Sequence, residues 1–61
     1  MRLDRISGKS ELEAIHLCAD NGYKLRVESI DGENFMVTQE INTKRINVII
    51  ENGKITKSRI G

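Results

Sequence analysis

The sequence predicts an α+β fold, a single α-helix laid on a small β-sheet, from three observations. A capping signal opens a helical period in the first third of the chain. Two later runs alternate apolar and polar residues with the period of a strand, and an Asn-Gly pair directly after the second supplies a hairpin turn. One helix covering one face of the sheet is the economical way to bury both.

The helix comes first. Ser10-Glu11-Leu12-Glu13 is a capping box: the Ser10 hydroxyl can accept from the amide three residues on, and the Glu13 carboxylate can reach back to the Ser10 amide. From Glu11 to Asn21 the apolar Leu12, Ala14, Ile15, Leu17, Cys18 and Ala19 sweep a wide arc, leaving Glu13, His16 and Asp20 opposite. Gly22 then stops the helix as a left-handed residue.

Tyr23, Leu25 and Val27 alternate with Lys24, Arg26 and Glu28, giving a strand with one buried face. Ile46, Val48 and Ile50 alternate with Arg45, Asn47 and Glu51, and only Ile49 breaks the pattern. Asn52-Gly53 suits a type I′ turn, so Lys54–Ile60 returns as an antiparallel strand whose polar, basic character suits an edge. Between the first two strands, Asp31 to about Thr43 shows no period, roughly twice the usual connection length. Phe35, Met36, Val37 and Ile41 are not linker residues, so this segment reads as a binding loop.

Composition narrows the function classes. A chain of 61 residues is one domain, residues 1–61, with a core near the lower limit of self-sufficiency. One cysteine, Cys18, cannot form an intrachain disulfide, and with the lone His16 it cannot build a structural zinc site, so no metal or cofactor is expected. The net charge of +1 conceals an asymmetry. Residues 1–40 carry five basic and eight acidic side chains, whereas 41–61 carry five basic and one acidic. With only two aromatics, Tyr23 and Phe35, the basic segment reads as a solvated sheet edge, and nucleic acid is not the expected partner. No apolar run has membrane-spanning length, and none follows the polar opening Met1-Arg2-Leu3-Asp4-Arg5. Together with the lone thiol, this predicts a cytoplasmic location. A monomer is expected.

Catalytic constellations are thin. His16 and Cys18 stand about 200° apart around the helix and cannot form a thiolate–imidazole couple. Gly8-Lys9-Ser10 has the ending of a phosphate loop, but Leu3 stands where its first glycine is required. The carboxylate pairs Glu11 with Glu13 and Asp31 with Glu33 lie on exposed segments without the burial that tunes an acid or base. The chain is not expected to be an enzyme, and no catalytic residue is assigned.

Several blocks, in order, resemble the potato inhibitor I family of serine protease inhibitors. Gly8-Lys9-Ser10 followed by Glu13-Ala14 is similar to that family's start of the helix, with Leu3 and Ile6 in place of its upstream tryptophan and aliphatic residue. Val37-Thr38-Gln39-Glu40, then Arg45 and an alternating aliphatic strand, is similar to the reactive-site loop and the strand after it. Arg59-Ile60-Gly61 resembles the family's arginine-valine-glycine ending, and small bacterial inhibitors of the same fold share a comparable strand–turn–strand with a last glycine.

The resemblance implies a mixed sheet, two parallel strands joined by the long exposed loop and then an antiparallel C-terminal hairpin. It implies an inhibitor that docks like a substrate in a subtilisin-like or chymotrypsin-like serine protease. The reactive bond would be Gln39–Glu40, with Gln39 in the specificity pocket and Val37, Thr38, Ile41, Phe35 and Met36 completing the binding loop. Arg45 would support Thr38 and Glu40, held from below by the Gly61 carboxylate. Asn47 stands where the family has a second supporting arginine, and the loop is about two residues longer than the usual pattern, so a looser loop is expected. The alternative is a non-enzymatic interaction protein that uses the same loop to bind or block a cytosolic partner that is not a protease.

Overall fold

The computed structural model describes residues 2–38 and 40–61. A short 3-10 turn over Leu3–Arg5 precedes helix α1 (Glu11–Asp20) and strands β1 (Lys24–Ile30), β2 (Glu33–Asn34), β3 (Arg45–Glu51) and β4 (Lys54–Ile60). The result is a small α+β domain, one helix packed on a four-stranded mixed sheet of order β2-β1-β3-β4. The pair β1–β3 is parallel, while β1–β2 and β3–β4 are antiparallel. Among the described residues no helix is long and apolar enough to cross a membrane.

Both ends of α1 follow from local chemistry. Ser10 Oγ accepts from the Glu13 amide at 3.2 Å and Glu13 Oε1 accepts from the Ser10 amide at 3.1 Å, closing the capping box. At the other end Gly22 takes φ of 78°. The Tyr23 amide turns back to the Cys18 carbonyl at 2.8 Å and the Gly22 amide to that of Ala19 at 3.1 Å, a Schellman closure.

The helix buries less of its apolar arc than its sequence suggests. Ala14 and Cys18 are fully buried and Leu17 is partly so, but Leu12 is 66% and Ile15 43% exposed. The sheet is narrow, and α1 approaches it along the small residues Ala14 and Cys18. Ile15 lies about 80° and Leu12 about 140° around the helix from the middle of that face, so both turn toward solvent. The rest of the core comes from Ile46, Val48 and Ile50 of β3, Ile55 of β4 and Ile6, which plugs the sheet from the N-terminal segment. Each of these buried aliphatics contributes about 1.5–3 kcal/mol. Gly8 and Lys9 pair with the outer edge of β4, the Gly8 amide donating to the Ile55 carbonyl at 2.8 Å and the Ile55 amide to that of Lys9 at 2.9 Å. Ile49 alternates onto the opposite, open face of the sheet, where it lines a groove with Glu28, Asn47 and Arg59.

Two turns share one conformation. Asn52 and Gly53 have φ of 52° and 76°, as a type I′ hairpin turn demands, and Asp31 and Gly32 repeat it at 50° and 83°. The second turn, read above only as the start of an irregular segment, folds Glu33–Asn34 back on β1 as the unforeseen strand β2. The turns are tied together where Asp31 Oδ1 accepts from the Asn52 amide at 2.7 Å.

Candidate binding loop

The connection of β1 to β3 is anchored at both ends, so its free stretch is much shorter than the unpatterned segment of the sequence. At its first foot β2 pairs with β1, and the Phe35 amide donates to the Glu28 carbonyl at 2.9 Å. At its second foot Asn42 caps a turn. Its Oδ1 accepts from the Lys44 amide at 2.9 Å, its carbonyl accepts from the Arg45 amide at 3.2 Å, and the Lys44 carbonyl accepts from the Lys24 amide at 2.8 Å. Lys44 Nζ also stands 5.5 Å above the Tyr23 ring, a cation–π contact at the same foot. Only residues 36–41 are left between the feet. The additional residues expected to loosen the loop are taken up in the β2 hairpin.

Within that stretch the apolar side chains turn outward. Met36 is fully exposed, Ile41 is 87% exposed and Phe35 43%, while Val37 is half-buried. The polar ones turn toward the open face of the sheet. Arg45 on β3, its side chain only 10% exposed, donates from Nε to the main-chain oxygen of Gly61 at 3.0 Å and from Nη2 to the Glu40 carbonyl at 2.9 Å. Its Nη1 lies 3.6 Å from the Glu40 carboxylate. Thr38, expected on Arg45, is held by a different arginine: Arg26 of β1 donates from Nη1 to Thr38 Oγ1 at 3.0 Å. The Thr38 hydroxyl donates onward to Glu40 Oε1 at 3.2 Å.

Asn47 joins the two arginines. Its Oδ1 accepts from Arg26 Nε at 2.7 Å, and its Nδ2 donates to the Gly61 oxygen that Arg45 also uses, again at 2.7 Å. The result is a closed ring of hydrogen bonds running Thr38, Arg26, Asn47, Gly61, Arg45, Glu40 and back to Thr38. Asn47, expected to loosen the loop, bridges Arg26 and Gly61. Asn47 is 99% removed from solvent, and both its Oδ1 and its Nδ2 have a hydrogen-bond partner, which offsets their desolvation. The role expected of a second arginine on β3 passes to Arg26. Parallel pairing sets Arg26 directly beside Asn47, on the face opposite Leu25 and Val27. The alternation of β1 put Arg26 on that face in the sequence, but its partner needed the parallel register. A further ion pair, Arg59 Nη2 to Glu28 Oε2 at 2.6 Å, ties β4 to β1 beneath the loop.

Gln39, the residue expected at the reactive bond, lies outside the described residues. Phe35, Met36, Val37, Thr38, Glu40 and Ile41 all belong to the doubly anchored segment, and Arg45, Asn47 and Gly61 all belong to the ring beneath it. Elsewhere, Cys18 is buried and its thiol is pushed up by desolvation, whereas His16 is exposed on the far side of α1. Among the described residues no three His, Cys, Asp or Glu side chains converge as metal ligands would. No family model, no curated protein and no solved structure matches this chain.

Proposed function

We propose that this chain is a substrate-like inhibitor of serine proteases of the potato inhibitor I type, presenting Gln39–Glu40 to the enzyme as its reactive bond. The observation that carries the reading is the hydrogen-bond ring, because it grips the chain on both sides of that bond. Arg26 holds Thr38 on the acyl side and Arg45 holds Glu40 on the amine side. Asn47 and Gly61 lock the two arginines together. A loop ordered in advance avoids about 0.5–1.5 kcal/mol per side chain that docking would otherwise cost. The grip on Glu40 also keeps the new amine beside the acyl group after attack, so the bond re-forms faster than the fragments part. A substrate-like segment can add to the edge of an enzyme cleft while its alternate side chains enter the subsites. The test is incubation with a panel of subtilisin-like and chymotrypsin-like proteases, with mass spectrometry of the products. Tight inhibition with one slow cut after Gln39 is expected; rapid degradation without inhibition by every enzyme refutes the proposal.

A second reading keeps the loop and changes the partner to a protein that is not a protease. Phe35 and Met36 favour it, since they are exposed and lie before the stretch the ring holds. Capture of such a partner from native cytosol, abolished by Phe35→Ala or Met36→Ala and untouched by Gln39→Ala, would establish it over the inhibitor.

A further inference from the structure

The sheet register turns the charge asymmetry of the sequence into a polarity in space. Lys24 stands beside Arg45 where β1 and β3 begin, and β4 finishes at the same end, with Ile60 beside Ile46. The second foot of the loop, with Lys44, lies here too. At the opposite end Ile30 pairs with Ile50 and Glu51 with Lys54, so Asp31, Glu33 and Glu51 gather around the two I′ turns. The start of α1, with Glu11 and Glu13, belongs to this second end, because Lys9 is bonded to Ile55. The loop end therefore sets Lys24, Arg26, Lys44, Arg45 and Arg59 against Glu28 and Glu40, and the turn end sets its five carboxylates against Lys9 and Lys54. The first keeps an excess of positive charge and the second of negative. A strand of seven residues separates them by about 20 Å, beyond the Debye length of about 10 Å at 0.1 M salt. An approaching protein thus meets one pole at a time.

Part of the positive charge at the loop end has no carboxylate partner. Arg45 is answered by Glu40 and Arg59 by Glu28. Lys24, Arg26 and Lys44 have no carboxylate within ion-pair distance among the described residues. The backbones of Lys24 and Lys44 are hydrogen-bonded to one another, which sets two cationic residues side by side at the foot of the loop.

Building on the inhibitor reading, we infer that Lys24 and Lys44 form a basic collar at the second foot of the loop, and that the protein partner carries an acidic rim beside its cleft. The collar orients the approach and speeds association, while the loop makes the lasting contacts. The test uses whichever enzyme of the protease panel the wild-type chain inhibits, with association followed by stopped flow. Between about 0.02 and 0.5 M sodium chloride the wild-type association rate should fall about tenfold or more, with little change in dissociation. Lys24→Glu with Lys44→Glu should lower the low-salt rate about tenfold, whereas Lys54→Glu with Lys57→Glu, an equal change in net charge away from the loop, should leave it within about twofold. A wild-type rate indifferent to salt overturns the inference, and needs no variant to fold. Equal loss in the two double variants also overturns it, since net charge alone would then act. Binding of duplex or single-stranded nucleic acid that the Lys24/Lys44 change abolishes would overturn the assignment to a protein. Failure to inhibit any enzyme of the panel overturns the inhibitor reading itself, and the inference with it.

Discussion

Arg45→Met is the most informative single change, because it removes the guanidinium and keeps most of the buried aliphatic stem. Two charged-donor hydrogen bonds are lost, to Glu40 O and Gly61 O, each worth about 1.5–3 kcal/mol where nothing replaces it. Neither loss is complete. Gly61 O keeps its bond from Asn47, and the Glu40 carbonyl returns to water at an exposed loop. The 3.6 Å contact with the Glu40 carboxylate adds little, since that side chain is 69% exposed. A net loss of about 2–3 kcal/mol is expected. The whole domain is stabilised by about 3–9 kcal/mol at its length, so the variant keeps a net stability at 25 °C over all but the lowest part of that range, with its melting temperature lowered by roughly 10–20 °C. Urea unfolding measures that loss. The sharper assay is the rate at which a loop-binding protease hydrolyses Gln39–Glu40. A loss of about 2 kcal/mol corresponds to about thirtyfold in an opening equilibrium, so hydrolysis should rise about fivefold or more even if only half the loss is felt in the loop. If stability falls as expected but hydrolysis stays within about twofold, Arg45 braces the sheet and not the loop, and the clamp reasoning is refuted.

Gly32→Val forces a β-branched residue to φ of 83°, costing about 1–3 kcal/mol and peeling β2 from β1; the Phe35 amide should then exchange its hydrogen faster while those of β3 are unchanged. Glu13 has its carboxyl held below the ordinary 4.5, first by the backbone amide of Ser10 and then by its hydroxyl. A lowered folded pKa means the charged form belongs to the fold, so this contribution is full above the unfolded value and disappears as pH falls through the folded one. Glu13→Gln should flatten the acid limb of a stability–pH curve in that window and leave its neutral limb parallel to wild type. Cys18, buried and with its thiol pushed up, should resist iodoacetamide at pH 8 in the folded protein and react on unfolding in urea, so labelling should track the unfolding curve. Leu12→Gln should cost no more than about 0.5 kcal/mol, against about 2–5 kcal/mol for Ile46→Ala, when both are measured by urea unfolding.

How far each feature could be read in the sequence depends on how local its cause is. The capping box at Ser10, the stop at Gly22 and the I′ turn at Asn52-Gly53 depend on neighbours within a few residues, so residue type and spacing were enough. Asp31-Gly32 carries the same local signal as Asn52-Gly53. The strand it launches is only two residues long, too short to show a period, and so it is indistinguishable from loop in the sequence. The exposure of Leu12 and Ile15 lay out of reach for another reason. Helical periodicity locates an apolar arc but says nothing of how wide a sheet lies beneath it. For the loop, the resemblance led to Arg45 and Gly61 but assigned Thr38 to the wrong arginine.

The fold class, one helix on a small sheet with a long loop ahead of a hairpin, was determined by the amino-acid sequence itself, because capping, turn conformation and alternation are written in adjacent residues. The partnership of Arg26, Asn47 and Thr38 was decided only in three dimensions. Arg26 and Asn47 come together across two parallel strands, and the carboxamide length of Asn47 spans the gap from Arg26 to Gly61. The same register changes the meaning of charge. A chain of net charge +1 carries a basic loop end and an acidic turn end, because strand direction, and not sequence order, determines which charges become neighbours.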